Sequence, residues 1–204
     1  MQEFELFSLS HFLGFSICLA AIVFIPKAIQ SKPGLENFSK YLLVILLIEN
    51  QIRSTYIETW IKGGNLLENL PLHLCDFSAI VIAAFLLTGF RPLFIFAYFW
   101  GIAGAGMSIL TPDSEFAFPH YEYFATMYGH SLILLAVVFS IVNLDQRPYL
   151  RDIPKLILYS SILLVIMYGI NFILGANYWY LNERPYGDNI LSLMPCLLYT
   201  SPSP

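Results

Sequence analysis

Six apolar stretches, each long enough to cross a lipid bilayer as a helix, occupy most of this 204-residue chain. A spanning helix needs about 20 mostly apolar residues, and a helix satisfies its own backbone hydrogen bonds inside lipid. The stretches therefore predict an all-α fold, a polytopic transmembrane helix bundle with six spans. They cover residues 7–26, 38–57, 71–88, 92–110, 123–142 and 154–174.

The composition supports this prediction and excludes other classes of protein. Hydrophobic residues make up 57% of the chain and charged residues only 12%, whereas about a quarter of the residues of a soluble domain are charged. The net charge is −4, and the chain has neither a basic run nor a polar tail, so no nucleic-acid partner is expected. Membrane lipids are the expected surroundings.

The C-terminal end of the chain does not continue the pattern of full-length apolar stretches. Residues 1–195 predict a single transmembrane helical domain, and residues 189–195 resemble the start of a further hydrophobic segment. Residues 196–204 are similar to translated sequencing-adapter readthrough, which predicts a non-native tail and a seventh span in the intact protein. A short natural tail is the alternative interpretation.

The basic residues are distributed unevenly between the two ends of the predicted bundle. Seven of the ten lie in or next to the loops at one end, and loops rich in lysine and arginine stay in the cytoplasm. This pattern predicts an N-terminus outside the membrane. The seven residues are Lys27, Lys32, Lys40, Arg91, Arg147, Arg151 and Lys155.

Polar residues accumulate at the other end of the predicted bundle. Ionisable residues inside spans are energetically costly, which makes them functional candidates. Because successive helices alternate in direction, residues far apart in sequence are expected to converge at the outer ends of the helices. They are Glu49, Asn50, Arg53, His73, Cys75, Asp76, His120, His130, Asn171, Asn177 and Arg184.

Two pairs in this group share a helix face. Glu49 and Arg53 are four residues apart, so they are expected to form an ion pair that is either structural or part of a substrate site. His73 and Asp76 are three apart and could form a metal half-site or a hydrogen-bonded pair. The pair is favoured because neither HxxxH nor HExxH spacing accompanies it, and neither metal nor cofactor is expected.

Cys75 has a position that suits a nucleophile. Pro71 predicts a helix start, which would place Cys75 in the first turns, where a helix N-terminus stabilises a thiolate. A histidine on another helix could act as its base, and His130 lies roughly 10–12 Å below the start of the fifth predicted helix. Spacing alone favours the alternative, in which the thiol and the imidazole only pack.

Three sequence stretches shift that balance, because they resemble known membrane proteins. They are Pro-Leu-His-Leu-Cys-Asp at residues 71–76, Tyr-Gly-His at 128–130, and the segment 175–185. Together they resemble the YwaF-like integral membrane proteins of bacteria, which look related to the animal transmembrane protein 164 family. The resemblance implies a bacterial plasma membrane location and a phospholipid-remodelling acyltransferase that uses a cysteine and a histidine. Those roles would fall on Cys75 and His130.

Two functions follow from these observations, and the first is a lipid-active transferase or acyl hydrolase. Cys75 would attack an acyl ester of a phospholipid or acyl-chain substrate, His130 would take its proton, and Asp76 or Glu49 would orient the histidine. Arg53 or Arg184 could hold a lipid phosphate. His73 and Asn177 complete the candidate substrate-binding residues.

The second function is a small-solute transporter or binding protein, in which the same polar cluster lines a cavity. A transporter would favour broken helices near the membrane midplane and internal repeat symmetry. The fourth span contains Gly101, Gly104 and Gly106 but the chain has no repeat, and these glycines are explained more simply as a close helix-packing face.

Overall fold

The computed structural model of the protein describes residues 3–112, 114 and 116–182, and over this range the chain is helical without strands. The all-α transmembrane bundle predicted from the apolar stretches is confirmed. The candidate Arg184, the segment 189–195 and the tail 196–204 lie outside the described residues. The six helices are α1 (Leu9–Ile29), α2 (Pro33–Tyr56), α3 (Leu74–Thr88), α4 (Arg91–Leu110), α5 (Tyr121–Asn143) and α6 (Ile153–Leu174).

The helices differ in how well they suit a lipid environment. By length and hydropathy, α1, α4, α5 and the stretch Leu150–Leu174 can each cross a membrane. The helix α3 is equally apolar but has 15 residues, which corresponds to about 22 Å. The helix α2 has 24 residues and carries its charges towards its two ends.

Two helices begin three or more residues away from their predicted starts. The third begins at Leu74 rather than at Pro71, because the Asp76 carboxylate accepts the backbone N–H of His73 at 2.9 Å and caps the helix there. The second begins at Pro33, five residues before the predicted start. Proline is tolerated at a first helical position, where its missing N–H costs nothing.

The helix α5 is central, because it packs against α1, α2, α3 and α4. Its inward face is part of one continuous buried cluster with residues of the other helices, including Leu47, Ile82, Phe94, Ala136 and Val137. By contrast, α1 and α6 leave most of their large apolar side chains exposed. Such surfaces are favourable against lipid chains and costly against water.

Close packing of α4 depends on two of its glycines. A Cβ at Gly101 would lie 3.2 Å from Ile133 Cγ2 on α5, and one at Gly104 would lie 3.3 Å from Cys75 Sγ on α3. A Cβ at Gly106 would meet nothing within 4 Å. The packing interpretation therefore holds for the first two glycines only. Residues Gly101–Ala105 form a π-helical turn, a feature often found at functional sites.

A hydrogen-bonded clamp joins α4 to the chain before α6, at the end of the bundle that carries the seven basic residues. The guanidinium of Arg91 donates to both carboxylate oxygens of Asp152, at 3.1 and 2.7 Å. It also donates to the backbone oxygen of Arg147 at 3.1 Å. Such bidentate contacts fix geometry as well as neutralising charge.

Candidate functional site

A cavity of about 430 Å³ lies where α2 ends and α3 and α5 begin. Most of the residues that line the cavity are polar, which is unusual inside an apolar bundle. Burying polar side chains in a membrane protein costs free energy, so such a lining is a candidate functional site. The structure therefore brings together, in one cavity, several of the residues expected to converge. They are Asn50, Arg53, Cys75, Asp76 and His130.

Cys75 is the second residue of α3 and borders the cavity. Its sulfur lies against α4, next to Gly104 and within hydrogen-bonding range of the Ser108 hydroxyl. That hydroxyl donates to the Gly104 carbonyl at 3.0 Å, which fixes it beside the thiol. The nucleophile candidate is thus held between the π-helical turn and the polar space.

His130 lines the same cavity from α5, and one of its ring nitrogens has a defined partner. Nδ1 lies 2.8 Å from the backbone oxygen of Thr126. Because a carbonyl oxygen only accepts, the neutral imidazole carries its proton on Nδ1. Nε2 then has a free lone pair, which is the requirement for a general base. The carbonyl of Thr126 takes the orienting role that the sequence assigned to Asp76 or Glu49.

Asp76 is engaged elsewhere. Its carboxylate caps α3 through the N–H of His73 and lies within hydrogen-bonding range of the Gln51 side chain on α2. In the part of the chain that the structure describes, it makes no hydrogen bond to His130. Asp76 therefore borders the cavity beside Cys75, but its contacts are with the start of α3 and with α2.

Arg53 and Glu49 form the ion pair that their spacing predicts, with Nε of the arginine 3.0 Å from Oε1 of the glutamate. The same guanidinium donates to the Tyr121 hydroxyl and to Asn50 Oδ1. It also lies 5.8 Å from the centre of the Tyr128 ring. Arg53 lines the cavity, whereas Glu49 is outside its lining and contacts the arginine through the ion pair.

Two further candidates lie away from the cavity lining. The ring of His73 packs against those of Tyr178 and Tyr180, with centroids 5.1 and 5.6 Å apart. His73 and Asp76 are hydrogen-bonded to each other, through the backbone N–H of His73 and not through its ring. Asn177 accepts the N–H of Asn182 at 3.0 Å, close to the end of the described chain. Across residues 3–182, apart from the two undescribed positions 113 and 115, no three His, Cys, Asp or Glu side chains form a metal-binding group.

An ionic bridge at the cavity was not predicted from the sequence. Lys62, which follows α2, contacts Glu122 at 2.6 Å and Glu58 at 3.1 Å, and all three residues line the cavity. Partial burial lowers the pKa of Lys62, but its bonds to Glu122 and Glu58 outweigh this effect and raise the pKa above the ordinary value. The lysine is therefore charged at neutral pH and links the end of α2 to α5.

Gln51 was also missed, although a signal for it existed. It is an uncharged polar residue within an apolar span, and such a residue usually faces the interior of a bundle. The structure places Gln51 in the cavity lining, where it is nine-tenths buried and its side chain lies within hydrogen-bonding range of Asp76 on α3.

Fold and site together define a polytopic helical membrane protein with a polar cavity between helix ends. The sequence profile of the TMEM164 family matches residues 6–201, and the chain belongs to this family. It is also 27% identical over 186 residues to an uncharacterized protein of Treponema pallidum (strain Nichols), covering 89% of this chain and 76% of that protein. No solved structure matches the chain. The family relationship inferred from the three sequence stretches is confirmed.

Proposed function

We propose that this protein is a membrane acyltransferase in which Cys75 is the nucleophile, His130 is the general base and a phospholipid is the acyl donor. The observation that carries the proposal is that Cys75 and His130 line one cavity while Nδ1 of His130 is committed to Thr126. Nε2 is therefore left to accept a proton. The family resemblance supports acyl transfer over other cysteine chemistry.

The reaction has two steps. In the first, Nε2 of His130 takes the thiol proton, the sulfur attacks the ester carbonyl and the C–O bond breaks. The departing alkoxide takes the proton back from the imidazolium, which leaves an acyl thioester on Cys75. In the second, an acceptor hydroxyl loses its proton to Nε2 and attacks the thioester, and the C–S bond breaks. The departing thiolate takes the proton from the imidazolium, which regenerates the thiol and the neutral histidine. Water as the acceptor would give hydrolysis.

Arg53 is the best placed of the described residues to hold a lipid phosphate. Guanidinium groups bind phosphate oxygens in a bidentate way, and this one lines the cavity while Glu49 and Asn50 fix its orientation. Arg184 stays a second candidate. Asp76 is proposed to act on Cys75 by fixing the start of α3.

Trapping the acyl-enzyme tests the proposal. Protein in vesicles of phospholipid with radiolabelled acyl chains should become labelled, and neutral hydroxylamine should release the label because it cleaves thioesters. The Cys75→Ala variant should carry no label, and Cys75→Ser should carry only label that resists neutral hydroxylamine. Cys18→Ala is the matched control and should leave labelling unchanged, since Cys18 is a residue of α1 that packs against a separate buried cluster.

Label retained by Cys75→Ala would contradict the proposal. Uptake of a polar solute into vesicles, without any protein-bound acyl group, would favour the transporter instead. The polar lining of the cavity would then serve as a solute site.

We also propose that the protein lies in a bacterial plasma membrane with its N-terminus outside. The support is the excess of basic residues at the end opposite the cavity, among them Arg91 in its clamp. A fluorescent protein that matures only in the cytoplasm should be fluorescent when it is fused in the loops at Lys32 and Arg147. Alkaline phosphatase fused at the same positions should be inactive. A fusion in the loop at Gly63 is the control and should give the reverse result. Phosphatase activity at both Lys32 and Arg147 would show the orientation to be inverted.

A further inference from the structure

The chain that follows α6 folds back and is fixed by a buried asparagine. Gly175 ends α6 in a left-handed conformation (φ 65°). The amide of Asn171 then donates to the backbone oxygen of Tyr178 and accepts its N–H, both at 2.8 Å. Asn171 and Tyr178 are each 1% exposed, so these bonds form where water cannot replace them.

Tyr178 in turn holds the loop that leads into α3. Its hydroxyl accepts the N–H of Leu70 at 3.0 Å and donates to the backbone oxygen of Leu67 at 2.8 Å. The indole N–H of Trp179 donates to the backbone oxygen of Leu72 at 2.8 Å. Side chains after α6 therefore satisfy three backbone groups of the loop 67–72.

This loop ends where the site begins. Leu72 is followed by His73, which is the N-cap of α3 and packs against the ring of Tyr178, and Cys75 comes two residues later. Tyr178 itself lies outside the cavity lining. A helix start can shift when the loop before it is released, and the reactivity of a nucleophile depends steeply on its position.

We infer that Tyr178 is a positioning residue for Cys75, acting through the hydrogen-bonded loop 67–72 and the start of α3. The expected effect of Tyr178 on the reaction rate rests on the proposed acyl transfer. The expected effect of Tyr178 on the position and exposure of the Cys75 thiol is independent of that function.

The Tyr178→Phe variant tests the inference, because it removes the hydroxyl and keeps the ring that packs on His73. Tyr168→Phe is the matched control, since it removes a hydroxyl from an exposed tyrosine on α6. Amides of residues 67–77 should exchange with deuterium roughly tenfold faster in Tyr178→Phe, as expected for the loss of two hydrogen bonds. The alkylation rate of Cys75 relative to Cys18 should change several-fold, and kcat should fall roughly tenfold at unchanged KM.

Two results would overturn the inference. One is a lower folded yield in Tyr178→Phe with kcat per folded molecule and Cys75 alkylation both unchanged, which would make Tyr178 purely structural. The other is equal behaviour of the two tyrosine variants. If the unaltered protein shows no Cys75-dependent acyl transfer, the proposed function fails, while deuterium exchange and alkylation still decide whether Tyr178 positions the thiol.

Discussion

Replacing His130 with glutamine is expected to lower acyl transfer about 1,000-fold while the protein still inserts and folds. General base catalysis typically contributes between about 100-fold and 10,000-fold to rate. A glutamine amide can donate to the Thr126 carbonyl as Nδ1 does, so the local structure should survive. It has no nitrogen lone pair with which to take the proton of Cys75.

The pH dependence of the residual rate separates loss of a base from loss of structure. Without His130 the thiolate must form by losing its proton to solvent, so the rate of His130→Gln should rise about tenfold per pH unit below the thiol pKa. His120→Gln is the control at the start of the same helix. His120 caps α5 and lies outside the cavity lining, so this variant should leave the rate unchanged. Equal rates for His130→Gln and the unaltered protein would remove His130 from the mechanism.

Much of the architecture could be predicted because the bilayer imposes a simple length requirement on apolar stretches. The meeting of Arg53, Cys75 and His130 was predictable as well, since alternating helix directions bring the end of one span to the start of the next. The exact first residues of the helices were harder to predict from the sequence. The start of α3 depends on a carboxylate capping its own turn, and the proline three residues earlier gave a competing signal.

The finer features of the site have no signature in the sequence. The partner of His130 is a backbone carbonyl, which every residue possesses, so nothing singled out Thr126. Lys62 and Glu122 are 60 residues apart, and their contact depends on the turn after α2. The hold of Tyr178 on Leu67 spans 111 residues and likewise required the folded chain.

Replacing Gly104 with alanine is expected to lower kcat by up to about 10-fold at nearly unchanged KM and folded yield. The new Cβ would lie 3.3 Å from Cys75 Sγ and 3.9 Å from Leu74 Cδ2. The first distance is tighter than ordinary van der Waals contact, so the sulfur must move by a few tenths of an ångström. A misplacement of about 1 Å in a catalytic group can cost about 100-fold in rate.

Two other glycines of α4 provide the controls for this variant. Gly106→Ala should keep full activity, because its Cβ meets nothing within 4 Å and alanine favours the helix. Gly101→Ala places a Cβ 3.2 Å from Ile133 Cγ2, so it disturbs helix packing without touching the thiol. We expect Gly101→Ala to lower thermal stability more than kcat, whereas Gly104→Ala should lower kcat more than thermal stability.

These effects are measured by thermal unfolding in detergent and by initial rates in vesicles. Equal losses of kcat in the two variants would mean that activity depends on the packing of α4 as a whole, and that contact of Gly104 with Cys75 has no special role.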